Sequence, residues 1–143
     1  MSKKSLYANF LVVPQNPEHM FIADTGSKEV LCSGEQAQDY LARFGLANKA
    51  GRHPFSLSEG EKRRLNLCSA LAMERKLLML DEPTYGLDFE SVEKIIDDVV
   101  ALKRAGRAVV IVTHDAAFAK AVQDRCLVLE DGVLSDSVAK ELV

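Results

Sequence analysis

The sequence has little cysteine, no long apolar run and no marked excess of charge, and each absence excludes a class of protein. Cys32, Cys68 and Cys126 are scattered and form no CxxC pair, so we expect small buried thiols in a reducing compartment. No apolar run approaches the roughly 20 residues of a membrane-spanning helix, so a membrane role would have to be peripheral. The first residues lack the apolar core of a signal peptide, so we expect no signal peptide.

The charge balance also argues against a nucleic-acid partner. The net charge is −3 and the isoelectric point is about 5.6. The basic run Lys62-Arg63-Arg64 is short and falls on a predicted helix, where it is typical of a solvated face. The chain has 143 residues, with no internal repeat and no low-complexity linker, and is large enough for one domain with a real core.

The most informative stretch is residues 77–84, LLMLDEPT. Four consecutive apolar residues without alternation predict a parallel strand that is buried on both faces. The strand would deliver Asp81 and Glu82 to its carboxyl edge, where open α/β sheets bind ligands. One carboxylate there can hold the Mg²⁺ of a nucleotide, and the next can orient or deprotonate a water. The alternative is a strand that ends in a polar turn, because Pro83 stops the ladder.

Strands alternate with capped helices along the chain. We predict strands at 10–13, 77–80, 108–112 and 126–129, with a hairpin turn at Asp131-Gly132. Helices are predicted after the capping boxes Ser33-x-x-Gln36 and Ser58-x-x-Glu61 and after Asp88. Their apolar stripes are expected to be buried. This order predicts an α/β fold, with a mostly parallel sheet flanked by helices and a largely helical arm over 16–75.

Residues 77–88, LLMLDEPTYGLD, resemble the Walker B motif and D-loop of ABC-type ATPases. Other motifs follow the order of that family and extend the resemblance over nearly the whole chain. Gln15 in VPQNP resembles the Q-loop, LSEGE at 57–61 resembles the LSGGQ signature, and His114 in IVTHD resembles the switch histidine. The stretches QNPEHMF and PFSLSEGEKRR most resemble the ATPases of energy-coupling-factor importers, which take up vitamins or cobalt and nickel ions.

The resemblance implies a truncated P-loop NTPase-like fold and a single partial ABC ATPase domain over 1–143. It divides the chain into a strand and Q-loop (1–15), a helical subdomain with the signature (16–75), and a part with Walker B, D-loop, switch and C-terminal strands (76–143).

It also implies a role for each candidate residue, with ATP and Mg²⁺ as cofactors. Glu82, His114 and Gln15 would be catalytic, and Asp81 and Gln15 would hold the metal. Residues that bind the nucleotide or serve the dimer interface would be Ser58, Gly60, Glu61 and Asp88. Each has a plainer reading as a helix cap, a loop residue or a structural histidine. Glu59 and Glu61 stand where the signature usually has Gly and Gln, and two acids should weaken triphosphate binding unless they point away.

The phosphate-binding motif GxxxxGK[ST] does not occur, since no glycine in the sequence is followed by lysine. We therefore expect ATP and Mg²⁺ to bind only with the missing half or with a partner. One hypothesis is an ATPase component of an importer on the inner face of the membrane, working with a second ABC ATPase subunit and a transmembrane subunit. The other is a non-catalytic module that docks on such a partner. An ABC ATPase of DNA repair is disfavoured, because no heptad run is visible.

Overall fold

A computed structural model describes residues 9–30 and 34–136. The strands are β1 (Phe10–Val13), β2 (Leu77–Asp81), β3 (Ala108–Val112), β4 (Leu127–Glu130) and β5 (Val133–Asp136). The α-helices are α1 (Gly26–Glu29), α2 (Gly34–Arg43), α3 (Glu59–Ala72), α4 (Phe89–Arg104) and α5 (Ala116–Val122). Short 3-10 helices lie at Pro17–Met20, Ala47–Lys49 and Pro54–Ser56.

The three strands β1, β2 and β3 form a parallel sheet with β2 in the centre. Val13 of β1 pairs with Leu80 of β2, and Asp81 of β2 pairs with Val112 of β3. All three strands therefore end at the same edge of the sheet. The predicted α/β fold with a parallel sheet is confirmed, and the strand that ends in two carboxylates lies at its centre.

The prediction that β2 is buried on both faces is wrong. Leu78 and Leu80 are fully buried on the face that the helices cover, whereas Leu77 and Met79 on the other face are only partly buried. Val12 and Val110, which pair with Met79, are each 45% exposed. We call this second side, with Val12, Met79, Val110 and Val112, the open face. An apolar run predicts that its side chains are covered, but it does not identify the segment that covers them.

The helix signals in the sequence are confirmed wherever the structure describes them. Ser58 and Glu61 form the reciprocal capping box of α3, and Asp88 caps α4 by accepting from the Ser91 amide at 2.8 Å. Gly45 follows α2 with a φ of +69°, a conformation that costs glycine little. The predicted stripes of α2 and α4 contribute buried core residues: Ala37, Leu41, Phe44, Ile95, Val99 and Leu102. Ser33 lies outside the described residues.

The carboxyl-terminal strands form a separate antiparallel hairpin, as its turn signal predicts. Asp131 and Gly132 have φ values of +49° and +78°, which suits a tight two-residue turn. The predicted strand at 126–129 is observed one residue later, as β4. Cys68 is buried as predicted, Cys126 is partly buried, and both are free thiols. Among the described residues, each helix is too short or too polar to cross a bilayer.

We expect the open face to drive self-association, because a contiguous apolar sheet surface recruits a covering partner. Val110→Lys places a charge on this face and should shift the protein towards monomer at high concentration. Ala101→Lys, on the exposed side of α4, adds the same charge elsewhere and should leave association unchanged. Light scattering across a concentration series measures both. A wild-type protein that stays a monodisperse monomer throughout would contradict the expectation.

Candidate functional site

The carboxyl edge of the parallel sheet collects most of the residues that the sequence singled out. Asp81 closes β2, and Glu82 follows it in the centre of the edge. Gln15 lies two residues beyond β1 on one side, and His114 lies two residues beyond β3 on the other. Because the three parallel strands end at the same edge, they bring Gln15, two carboxylates and an imidazole to the side of the sheet where open α/β sheets bind ligands.

Glu82 adopts a left-handed backbone conformation with a φ of +47°, which is unusual for a residue with a Cβ. Hydrogen bonds hold it there. Its amide donates to the Val112 carbonyl at 2.8 Å, and its carbonyl accepts from the Tyr85 amide at 3.2 Å and from Arg63 at 2.9 Å. Strained residues that the surroundings fix in this way concentrate at functional sites. This strained conformation makes Glu82 a candidate functional residue.

Glu82 and His114 are in direct contact. The Nδ1 atom of His114 lies 2.8 Å from Oε1 of Glu82, and the His114 amide donates to the same oxygen at 3.1 Å. The Thr113 hydroxyl donates to Oε2 at 3.2 Å. Hydrogen bonding to Glu82, followed by the charge of that carboxylate, raises the pKa of His114 above its usual value. The glutamate is therefore held by two consecutive residues that follow β3.

We expect Glu82→Gln to lower the pKa of His114, because the substitution removes the charge that favours the imidazolium. A raised folded-state pKa means that the pair stabilises the fold fully below the unfolded pKa of about 6.5 and loses this effect as the pH rises through the folded value. The stability difference between wild type and Glu82→Gln should therefore shrink at alkaline pH. NMR titration of the ring and urea unfolding at several pH values measure both effects. Glu93→Gln, on the exposed side of α4, is the control; an unchanged His114 titration in Glu82→Gln would refute the expectation.

Asp81 has the chemistry of a magnesium ligand but would need further ligands to hold the ion. Among the described residues its carboxylate has no hydrogen-bond or ion-pair partner, so its oxygens are open to a cation. By strand alternation it lies on the open face, with Leu77 and Met79. No cluster of three or more acidic, histidine or cysteine side chains forms a metal cage in the described part of the chain. Mg²⁺ commonly binds through one or two carboxylates plus substrate phosphates, so the Asp81 carboxylate suits a metal that phosphates also hold.

The signature segment forms the amino terminus of α3. The Ser58 hydroxyl accepts from the Glu61 amide at 3.3 Å, and the Glu61 carboxylate accepts from the Ser58 amide at 2.9 Å. That amide, followed by Lys49 at 3.3 Å, lowers the pKa of Glu61. Glu59 pairs with Lys62 at 2.8 Å. Each of the two unusual acids is therefore engaged by a lysine of the same chain, and Glu61 is turned into the cap.

The D-loop lies beside the signature helix. A Cβ atom added at Gly60 would meet the Gly86 carbonyl oxygen at 3.9 Å and Leu87 at 4.0 Å, which are ordinary contacts. Gly86 has a φ of +73° and turns the chain towards Asp88. Hydrogen bonding from the Ser91 amide lowers the pKa of Asp88, so its observed role is that of a charged helix cap. The structure thus brings Gly60 and the D-loop together within one chain.

The basic run at 62–64 is not the solvated face that we expected. Lys62 is buried and pairs with both Glu18 and Glu59, and the guanidinium of Arg63 reaches the backbone of two loops. The partners of Arg63 lie 19 and 48 residues away, so local sequence gives no sign of them. Thr113 was also missed, although its place immediately before His114 at the end of β3 was a usable signal.

Comparison with known proteins identifies the family of the chain. A family model described as ABC transporter matches residues 1–85. The HMP/thiamine import ATP-binding protein YkoD of Bacillus subtilis is 39% identical over 136 residues, which cover 90% of this chain and 25% of that protein. CbiO1 of Clostridium perfringens, part of the transporter complex cbiONQ, is 27% identical with a TM-score of 0.72, over 94% of this chain and 59% of that one.

A dimeric ATP-binding cassette solved with ADP and Pi matches with a TM-score of 0.80 at 24% identity, over 95% of this chain and 68% of that one, which shows the fold alone. The fold is that of an ABC ATPase domain, as the resemblance implied. The chain belongs to the ABC transporter family. It spans between a quarter and a half of the length of the curated relatives it matches.

Proposed function

We propose that this chain is the signature- and Walker B-bearing part of the ATP-hydrolysing subunit of an ABC importer. The observation that carries the proposal is the contact between Glu82 and His114 beside Asp81 at the carboxyl edge of the sheet. The transported solute would be small, such as a metal ion or a vitamin. The motifs around Gln15 and Ser58 and the thiamine-import relative support the energy-coupling-factor class.

Glu82 is proposed to orient and deprotonate the attacking water, for which its carboxylate must be ionised. His114 would contact the γ-phosphate, and its raised pKa favours the imidazolium that an anion prefers. Asp81 and Gln15 would hold Mg²⁺, which supplies charge neutralisation on the phosphates. Ser58, Gly60 and Glu61 would face nucleotide held by a second subunit, and Asp88 would support that interface.

The phosphate cradle must come from elsewhere for this chemistry, and the open face indicates where it would attach. Asp81 shares that face with exposed Val12, Val110 and Val112. A segment that covers these residues and ends in a GxxxxGK[ST] loop would place phosphates beside Asp81. We therefore propose that ATP and Mg²⁺ bind only when such a segment covers the face.

A second candidate function is a non-catalytic module that docks on a partner ATPase or membrane subunit. One observation favours it: the open face, where Val12, Val110 and Val112 are exposed, is an apolar surface that a partner can cover without any nucleotide chemistry. The partners proposed for either function are a second ABC ATPase subunit and a transmembrane subunit, at the inner face of the cell membrane, with no nucleic acid.

The experiment that separates the two functions is phosphate release from ATP by the chain mixed with a phosphate-cradle segment of a family member. Turnover that requires both polypeptides and is lost in Glu82→Gln would support the ATPase. Stable binding of the two polypeptides, without turnover at saturating ATP and Mg²⁺, would support the docking module and refute the catalytic proposal.

A further inference from the structure

The guanidinium of Arg63 connects three parts of the site. Its Nη1 atom donates to the Glu82 carbonyl at 2.9 Å, and its Nη2 atom donates to the Gln15 carbonyl at 2.8 Å. Its central carbon also lies 5.6 Å from the centre of the Tyr85 ring, within cation–π range. Because one rigid, planar group makes all three contacts, the two carbonyls are held at a fixed separation.

Other side chains of α3 bind the same loop, which comprises residues 15–18 and which we call the Gln15 loop. Lys62 pairs with Glu18 at 2.6 Å, and the Asn66 amide donates to the Pro17 carbonyl at 2.7 Å. These two contacts fix the loop to the helix. Arg63 differs from both, since it alone of the three also reaches the strained backbone of Glu82.

Arg63 is partly buried, and this burial lowers the pKa of its guanidinium. A charged group taken from water is costly unless its donors are satisfied, and here two of them meet carbonyl oxygens. Displacement of the Glu82 backbone would leave the part-buried Nη1 donor unpaired, whereas displacement of Gln15 would return the Nη2 donor to water. The arrangement therefore resists independent movement of the two loops.

We propose that Arg63 is a positioning residue that couples the Gln15 loop to the backbone of Glu82, so that displacement of one loop displaces the other. The contact set itself does not depend on the proposed function. The functional consequence does rest on the proposed function: in an ATPase, movement of the Gln15 loop would move Glu82, the proposed general base. A test that needs no turnover keeps the two proposals distinguishable.

The test is amide hydrogen exchange of the whole chain, measured by NMR. Two reporters are the Tyr85 amide, which donates to the Glu82 carbonyl, and the His19 amide, which donates to the Asn16 carbonyl. In Arg63→Gln we expect exchange to rise about tenfold at both reporters, as loss of a hydrogen bond near 1.4 kcal/mol implies, and to stay unchanged within β2 and β3. Arg64→Gln removes the same charge from the next residue of α3 and should change neither reporter.

A second substitution separates coupling from simple stabilisation. Glu18→Gln weakens the attachment of the Gln15 loop to Lys62 and removes none of the contacts of Arg63. If Arg63 couples the loops, Glu18→Gln accelerates exchange at Tyr85 in the wild type and adds nothing in the Arg63→Gln background. Independent, additive effects on Tyr85 would overturn the proposal.

Arg63→Lys covers the case in which Arg63→Gln fails to fold. Lysine keeps the charge and an aliphatic stem, but its ammonium is a point donor that cannot hold two carbonyls in one plane. We expect a folded protein in which Glu18→Gln no longer affects Tyr85. If Glu18→Gln accelerates exchange at Tyr85 in Arg63→Lys as much as in the wild type, a positive charge alone is enough to couple the loops. That result would refute the positioning role of the Arg63 guanidinium.

Discussion

Phosphate release from ATP by this chain alone is expected to stay at the buffer background, and to appear only when a GxxxxGK[ST] segment is added. Asp81 is one carboxylate without a cage of further acidic ligands among the described residues, so it cannot retain Mg²⁺-nucleotide unless other groups hold the phosphates. The sequence offers no glycine-lysine pair to do this. The lack of a phosphate-binding motif, and not a defect in the general base, should therefore limit the rate of phosphate release.

With the segment bound, Glu82→Gln should reduce the rate by roughly 10²–10⁴-fold, which is the usual contribution of a positioned general base. Glu93→Gln, an exposed glutamate on α4, loses the same charge and should retain full activity. Val110→Lys, on the open face, should abolish complementation by preventing the segment from binding. Measurable turnover by the chain alone that Glu82→Gln eliminates would show that this chain grips nucleotide by other means.

The order of strands and helices was readable from the sequence because its signals are local. Two capping residues, Ser58 and Asp88, begin helices where they were expected, and the Asp131-Gly132 turn forms the hairpin. The contact between Glu82 and His114 was also predictable in outline, because both residues follow adjacent parallel strands. The pattern predicted only that both residues lie at the same edge of the sheet. The 2.8 Å contact and the strained φ of Glu82 depend on the packed structure.

The errors arose where a local pattern depends on distant partners. The apolar run of β2 predicted two covered faces, but whether a face is covered depends on chain elsewhere. The basic run at 62–64 has the look of a solvated surface, yet Lys62 and Arg63 satisfy carboxylate and carbonyl groups far along the chain. Charge spacing within a helix carries no information about such partners.

The signature end of α3 is expected to bind ATP held by another subunit, even if this chain never binds its own. A full-length family member locked by Glu→Gln at its own catalytic base would supply that ATP. A charge-assisted hydrogen bond is worth about 1.5–3 kcal/mol, so ATP and Mg²⁺ should tighten association by roughly 10- to 150-fold. The two acids at 59 and 61 oppose this less than their charges suggest, because Lys62 and Lys49 engage them.

Gly60→Ala tests this contact with little disturbance of the chain itself. The added methyl would meet only the Gly86 carbonyl oxygen and Leu87, near 4 Å, and alanine favours helix over glycine by about 1 kcal/mol. The variant should therefore fold at least as stably as the wild type. It should nevertheless lose most of the ATP-dependent gain, because the methyl keeps the γ-phosphate away from the helix amides. Gly51→Ala, where an added Cβ meets nothing within 4 Å, is the matched control and should keep the gain.

Ser58→Arg should remove the same gain through bulk at the cap, with Ser135→Arg on the exposed hairpin as its control. Calorimetric titration with and without ATP measures each affinity, and urea unfolding verifies each fold. An affinity that does not change with ATP, or that ATP raises equally in Gly60→Ala and wild type, would show that the signature segment does not contact the nucleotide of the other subunit. The role left for this chain would then be docking through its open face, where Val12, Val110 and Val112 are exposed.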